Sequence, residues 1–222
     1  MIIFYGYLFS YLFVLGILTV ATVIKIISKS QSDIFRKSVH ITVGFTWIIL
    51  CKYLYGTWHF VIIPLTFIVI LTASTIFGLL KVIERSDGRK KDFGTVHYAI
   101  CITLICTLAK IFPDMLIPCG IGVFALSFGD GFASIFGEAF SKTNKRITKT
   151  KTLAGTIACF VFTIVGTLVY KGFVPFQISI LHLLIIGIVA AFMEVVGGRY
   201  DNYSVPFGAM VTASILMNIN EI

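Results

Sequence analysis

Acidic residues inside apolar segments are the first feature of this chain that points to chemistry. The chain has ten acidic residues, and three of them, Asp130, Glu138 and Glu194, lie within or at the ends of long apolar runs. A carboxylate at membrane depth is costly, so it usually has a cationic partner, a metal ion or a proton to carry. These acids are candidates for an active site. The alternative is a neutral or paired structural acid inside a helical bundle.

Asp130 lies among small residues. It is flanked by Gly129 and Gly131, and small side chains allow another backbone or a ligand to come close. The alternative is a packing face between helices. If the segment is a regular helix, one face carries these neighbouring positions: Ser127, Asp130, Ser134, Gly137, Glu138 and Ser141.

A basic stretch without acids follows this segment, at residues 142–152. Thr152 ends the stretch at the start of the next apolar run, and Gly155 lies just inside that run. A helix N-terminus with exposed amides, hydroxyls and nearby cations suits a phosphate group. A topology anchor or a contact with anionic lipid is the competing interpretation. The cations of the stretch are Lys142, Lys145, Arg146, Lys149 and Lys151.

A third polar region follows Glu194. Gly197 and Gly198 predict a turn or a close backbone approach. Asp201 and Asn202 offer oxygen ligands of the kind that hold magnesium beside phosphates. The alternative is that they cap the following helix.

The composition determines how these residues are positioned. The chain has 222 residues, of which 58% are hydrophobic and 13% charged. Its long runs are continuously apolar, which predicts membrane helices rather than barrel strands. We expect an all-α integral membrane protein, a single domain over 1–222 with about eight transmembrane helices, seven being the alternative. The predicted spans are 4–27, 37–56, 58–80, 96–112, 114–138, 153–171, 176–198 and 204–219.

Basic residues predict the orientation. Fifteen of the 18 lysines and arginines lie in the first, third, fifth and seventh loops between the predicted spans. The positive-inside rule places these loops in the cytoplasm and the N-terminus outside. The candidate acids and the basic stretch then fall near the cytoplasmic surface, where nucleotides are available. Asp130 is expected roughly 13 Å below that surface.

Taken together and in order, these segments resemble the membrane kinases of dolichol, polyprenols, phytol and diacylglycerol, to which phosphatidate cytidylyltransferase is more distantly related. The resemblance covers about residues 36–208 and is strongest to the compact bacterial and plastid members. One position departs from it, because Ala154 stands where the family often has Glu. The matching motifs are Arg36-Lys37-x-x-His40, Gly129-Asp130-x-x-Ala133-x-x-x-Gly137, Lys151-Thr152-x-x-Gly155, and Glu194 followed by Asp201-Asn202-x-x-x-Pro206.

The resemblance implies an enzyme that moves the γ-phosphoryl group of CTP, or of a related nucleotide, to a long-chain lipid alcohol with Mg²⁺ as cofactor. Asp130, Glu194 and Lys151 are the implied catalytic residues, and Asp130 and Asp201 the metal ligands. The implied partners are a membrane lipid and a nucleotide, with no nucleic acid. The implied location is a bacterial cytoplasmic membrane, with the active site on its inner side. The expected substrate-binding and nucleotide-binding residues are Arg36, Lys37, His40, Gly129, Gly137, Arg146, Lys149, Thr152, Gly155 and Asn202.

Two other functions remain open from the sequence. The first is phosphatidate cytidylyl transfer, which would use the same nucleotide and similar acids but would keep CMP on the product. The second is an anion or lipid transporter, for which buried acids and a basic entrance at the membrane surface would also be expected. Polar residues that continue through the whole bundle would favour the transporter.

Overall fold

The fold is described from a computed structural model, which covers residues 1–28, 34–78, 93–140 and 145–219. Within these residues the chain is helical and contains no strand, only an isolated antiparallel bridge between Arg146 and Thr152. Seven segments of this described part are long and apolar enough to cross a membrane. The prediction of a polytopic all-α membrane protein is confirmed.

The chain divides into two compact units, and the first comprises Met1–Ile111. In this unit the second predicted span is interrupted by a turn at Gly44 and Phe45, so it forms two shorter helices. Lys110 donates from Nζ to the carbonyl oxygen of Gly56 over 2.8 Å. The helices of this unit are α1 (Ile2–Ser28), α2 (Ile34–Val43), α3 (Thr46–Leu54), α4 (His59–Phe77) and α5 (Gly94–Ile111).

The second unit comprises Phe112–Ile222. Its first long segment is not one regular helix, because a π-helical turn over Ala125–Asp130 separates two α-helices. Short 3₁₀ turns lie at Pro113–Met115 and Gly198–Tyr200. The helices are α6 (Leu116–Phe124), α7 (Gly131–Ala139), α8 (Leu153–Phe173), α9 (Ile180–Gly197) and α10 (Asp201–Ile219).

The last apolar segment, Ile180–Met217, is 38 residues long, roughly twice what a single crossing needs. It is folded into the antiparallel pair α9 and α10. The Ser204 hydroxyl donates to the carbonyl oxygen of Met193 over 2.8 Å. Gly198 has a φ of 54°, and a Cβ on Gly197 would collide with the Ser204 side chain. The predicted turn with close backbone approach is confirmed, and two helices from this segment are compatible with eight crossings.

Helix α8 packs against α7, α9 and the π-helical turn. The rings of Phe132 and Phe162 stack with centroids 3.9 Å apart, which joins α7 to α8. Nearer the start of α8 the contact is between backbones, because a Cβ built on Gly155 would lie 2.9 Å from the carbonyl oxygen of Ala133. The two glycines Gly137 and Gly155 therefore let α7 lie directly on the first turn of α8.

This close approach gives a stability prediction. We expect Gly155→Ala to destabilise the protein by about 1–3 kcal/mol, because the new methyl group forces the two helices apart. Gly172→Ala, in the same helix, is the matched control, since nothing lies within 4 Å of a Cβ there, and alanine favours a helix. Thermal melts in detergent measure both. Equal melting temperatures for the two variants would contradict the close contact.

Candidate active site

The start of α8 fixes the backbone of Lys151. The chain folds back on itself before the helix, with Ile147 N donating to the carbonyl oxygen of Lys151 over 2.9 Å and Leu153 N to that of Lys145 over 3.0 Å. Thr152 is the N-cap of α8, and its hydroxyl oxygen accepts from Gly155 N at 3.2 Å. An N-cap hydroxyl of this kind satisfies one of the free amides of a helix start. Lys151 therefore projects from a constrained turn.

The Lys151 ammonium is shared between two carboxylates. Its Nζ lies 2.6 Å from Oδ2 of Asp201 and 2.8 Å from Oε1 of Glu194. The side chains of Lys151 and Glu194 are only 10% and 3% exposed, and that of Asp201 is 20% exposed. One ion-pair network thus joins the residue before the N-cap of α8, the last turn of α9 and the first residue of α10.

Glu194 has a second partner. The Thr156 hydroxyl donates to Oε2 of Glu194 over 3.0 Å, while Oε1 faces Lys151. Both carboxylate oxygens are therefore engaged inside the protein. This arrangement favours Glu194 as the anchor of Lys151 over Glu194 as a base that exchanges protons with a substrate.

Asp130 is the last residue of the π-helical turn and is fully buried. Its carboxylate acts electrostatically on the Lys151 ammonium. Gly129 brings the turn directly onto α8, because a Cβ there would collide with Thr163 Oγ1 and lie 3.4 Å from the carbonyl oxygen of Cys159. π-helical turns inside α-helical segments are frequent at functional sites. We call Asp130, Lys151, Glu194 and Asp201 the charged cluster.

The charged cluster sets the protonation of Lys151. Burial alone would lower the pKa of its ammonium, but Asp201, Asp130 and Glu194 together outweigh burial and raise that pKa above its ordinary value of 10.5. A group whose pKa is raised on folding stabilises the fold below its ordinary pKa and loses this effect only as the pH rises through the raised value. Lys151 is therefore charged throughout the neutral range.

The remaining predicted residues of the second unit differ in burial and in whether they contact the charged cluster. Asn202 is buried, and its backbone N–H donates to Oδ1 of Asp201 over 2.8 Å. Thr152 and Gly155 form the start of α8, and Gly137 packs on it. Arg146 and Lys149 are exposed on the turn before α8 and do not join the charged cluster.

The segment that carries the predicted face is not one regular helix. Ser127 and Asp130 are fully buried and Gly137 is half-buried, but Glu138 is exposed. Ser127 and Asp130 lie in the π-helical turn Ala125–Asp130, whereas Gly137 and Glu138 lie in α7. Ser141 lies outside the described residues.

The motif Arg36, Lys37 and His40 belongs to the first unit. All three residues are buried on α2. The rings of His40 and Tyr98 lie 4.0 Å apart, and the Tyr98 hydroxyl donates to the carbonyl oxygen of His40 over 3.1 Å. Their role in nucleotide binding stays a prediction.

Thr156 and Thr163 were not among the residues predicted from the sequence. Thr156 lies beside Glu194, and Thr163 is fully buried where Gly129 meets α8. Their spacing from the cap at Thr152, by four and eleven residues, places all three on one helix face. That periodicity is the signal in the sequence that would have identified them.

The described residues supply only part of a donor set for a divalent cation. Among the described residues, no three His, Cys, Asp or Glu side chains are placed to hold a metal ion by themselves. Magnesium in nucleotide enzymes is commonly held by one or two carboxylates and by substrate phosphates. Asp201, which is partly exposed, and the buried Asp130 fit that mode, in which phosphate oxygens complete the coordination.

The fold is that of a helical integral membrane protein. The start of α8, the helices α9 and α10, and the π-helical turn together form its charged cluster. The chain belongs to the cytidylyltransferase family, whose sequence model matches residues 1–201. Membership is consistent with the resemblance to CTP-dependent lipid kinases related to phosphatidate cytidylyltransferase. It identifies a membrane enzyme that uses CTP. Neither the curated proteins nor the solved structures gave a significant match.

Proposed function

We propose that this enzyme is a lipid-alcohol kinase, which transfers the γ-phosphoryl group of CTP to a long-chain alcohol such as a polyprenol, phytol or diacylglycerol. The observation that carries the proposal is the charge balance of the charged cluster, in which three carboxylates surround one ammonium group. An alcohol brings no charge into this environment. Phosphatidate would bring a phosphate group, and like charges at this range repel. CTP also brings phosphate charge, which Lys151 and Mg²⁺ would neutralise, so an alcohol acceptor leaves one anionic group fewer to balance than phosphatidate does.

The chemistry of the residues supports the same acceptor. The alcohol oxygen would attack the γ-phosphorus as the bond from that phosphorus to the β–γ bridging oxygen breaks, and CDP would leave. Asp130 would take the proton of the alcohol, a step that phosphatidate does not need because its phosphate is already ionised. Lys151 would neutralise phosphate charge, and Arg146 and Lys149 would meet the outer part of the nucleotide. Bound Mg²⁺ would supply further charge neutralisation at the phosphates, with Asp201 and Asn202 beside it.

The described residues of the second unit support a transporter less well than they support an enzyme. Its buried charged side chains among the described residues are Asp130, Lys151 and Glu194, and all belong to the charged cluster. Two buried hydroxyl groups of this unit donate within their own helices, Ser127 to the carbonyl oxygen of Val123 and Thr167 to that of Thr163. Such bonds do not provide a chain of sites for an ion.

An acceptor panel tests the proposal. Purified protein is incubated with CTP, Mg²⁺ and one of polyprenol, phytol, farnesol, diacylglycerol or phosphatidate, and the lipid product is identified by mass. We expect a lipid monophosphate and CDP from at least one alcohol. Formation of a CDP-lipid from phosphatidate, with no alcohol phosphorylated, would establish the cytidylyltransferase instead.

The proposed orientation places the site at the cytoplasmic face of a bacterial membrane. Single cysteines at Ser86 and Asn144, in a background without the five native cysteines, are then expected to resist an impermeant thiol reagent in intact cells. Both positions lie in predicted cytoplasmic loops and outside the described residues. Permeabilised cells are the control for reactivity. Ready labelling of both positions in intact cells would reverse the topology.

A further inference from the structure

The two carboxylates that share Lys151 are held differently. Glu194 is almost completely buried, and its two oxygens accept from Lys151 and Thr156. Glu194 also lies in the last turn of α9, where the helical backbone fixes its position. Glu194 therefore has neither a free oxygen nor the access that a soluble ion would need.

Asp201 has a more open environment. Its side chain is 20% exposed, and it is the first residue of α10, where a helix dipole favours a negative charge. Its Oδ1 accepts a hydrogen bond from the backbone N–H of Asn202. These features hold the Asp201 carboxylate in place without Lys151, so this carboxylate can change its cationic partner while the helix start stays intact.

Two cations cannot share Asp201 without cost. The Lys151 ammonium lies 2.6 Å from Oδ2, and a divalent cation on the same carboxylate would be only a few ångströms from that ammonium. Repulsion between the two is strong in a site with so little water. A lysine side chain is long and flexible, so the ammonium can move away while Glu194 still holds it.

We propose that a divalent cation and the Lys151 ammonium compete for the Asp201 carboxylate, so that cation binding releases Lys151 from Asp201 toward the phosphates while Glu194 and Thr156 keep it tethered. The inference rests on the proposed function, because it assigns Asp201 to the cation of the nucleotide substrate. Thr156 becomes a positioning residue, since it acts through Glu194. Binding of the metal ion thereby makes the Lys151 ammonium available to bind phosphate.

The test uses Mg²⁺ alone, without nucleotide or lipid. Thermal stability of the purified full-length protein is measured against Mg²⁺ concentration for wild type and for Lys151→Met/Glu194→Gln. The double variant removes one charge of each sign, so the net charge near Asp201 is unchanged. We expect the midpoint of Mg²⁺ stabilisation to fall by about tenfold or more in this variant, because the ammonium that competes for the Asp201 carboxylate has been removed. Lys145→Met is the control and should keep the wild-type midpoint.

Asp201→Asn should lose the Mg²⁺ response. Equal midpoints for wild type and the double variant, a retained response in Asp201→Asn, or no Mg²⁺ response in any of these proteins would overturn the competition. A second measurement needs no variant. A soluble amine-reactive reagent is applied to the wild type, and labelling of Lys151 is quantified by mass spectrometry with Lys145 as the internal reference. Mg²⁺ should speed labelling of Lys151, and an unchanged or slower rate would contradict its release.

These readouts separate the two proposals. An enzyme that transfers no γ-phosphoryl group would remove the kinase but leave the Mg²⁺ midpoints as measured. Conversely, equal midpoints would remove the competition without affecting the products formed in the acceptor panel.

Discussion

Asp130→Asn is expected to lower lipid phosphorylation by about 10²–10⁴-fold at saturating CTP and Mg²⁺, the usual loss when a general base is removed. The substitution keeps the size of the side chain and removes its charge. Asp130 is fully buried and acts electrostatically on the charged Lys151. If Asp130 holds the metal instead, the loss of an anionic ligand has the same direction.

A purely structural Asp130 predicts the opposite. A neutral amide is cheaper to bury than a carboxylate, so Asn would then be tolerated or stabilising. Glu138→Gln is the matched control, because Glu138 is an exposed acid at the end of the same helix and should keep activity. A folded Asp130→Asn protein with near wild-type turnover would remove Asp130 from the mechanism.

Lys151→Met has the second largest expected effect. It removes the cation that meets the transferring phosphate, so kcat/KM should fall by about tenfold or more. It also leaves the carboxylates of Glu194 and Asp201 without their shared ammonium. Removing one partner of a buried ion pair typically costs about 3–5 kcal/mol, and the melting temperature should fall with the activity.

Kinetics and stability must be separated for this variant. Activity is therefore normalised to the folded fraction, measured by size-exclusion chromatography and thermal melts. Lys149→Met is the comparison, because Lys149 is exposed on the same turn and makes no ion pair within the charged cluster. Its effect should be confined to a modest rise in the KM for nucleotide. Unchanged kinetics in a well-folded Lys151→Met protein would reduce the basic turn to a topology signal.

The sequence predicted the helices and several local features of the site. Apolar run length was sufficient for the membrane helices because the bilayer fixes how long each must be. Gly197 and Gly198 indicated a turn because few other residues adopt that geometry or allow that approach. Thr152 was predicted at the start of α8, where it is the N-cap.

The sequence did not predict which charges would meet. Lys151 and Asp201 are 50 residues apart in the chain, and only the packing of α8, α9 and α10 brings them together. The pairing changes the interpretation of Glu194, which was predicted as catalytic and is found with both oxygens engaged. The π-helical turn was also not predicted from spacing, because a regular helix was assumed through Ala125–Asp130.

The most direct test of the account compares two labels on one nucleotide. Purified enzyme receives CTP labelled either at the γ-phosphate or in the cytidine ring, together with the lipid acceptor that is most active in the panel. A lipid-alcohol kinase places the γ-label in the lipid and leaves the cytidine label in water-soluble CDP. Cytidine label in the lipid, with the γ-label released as pyrophosphate, would contradict the kinase and assign cytidylyl transfer to the charged cluster.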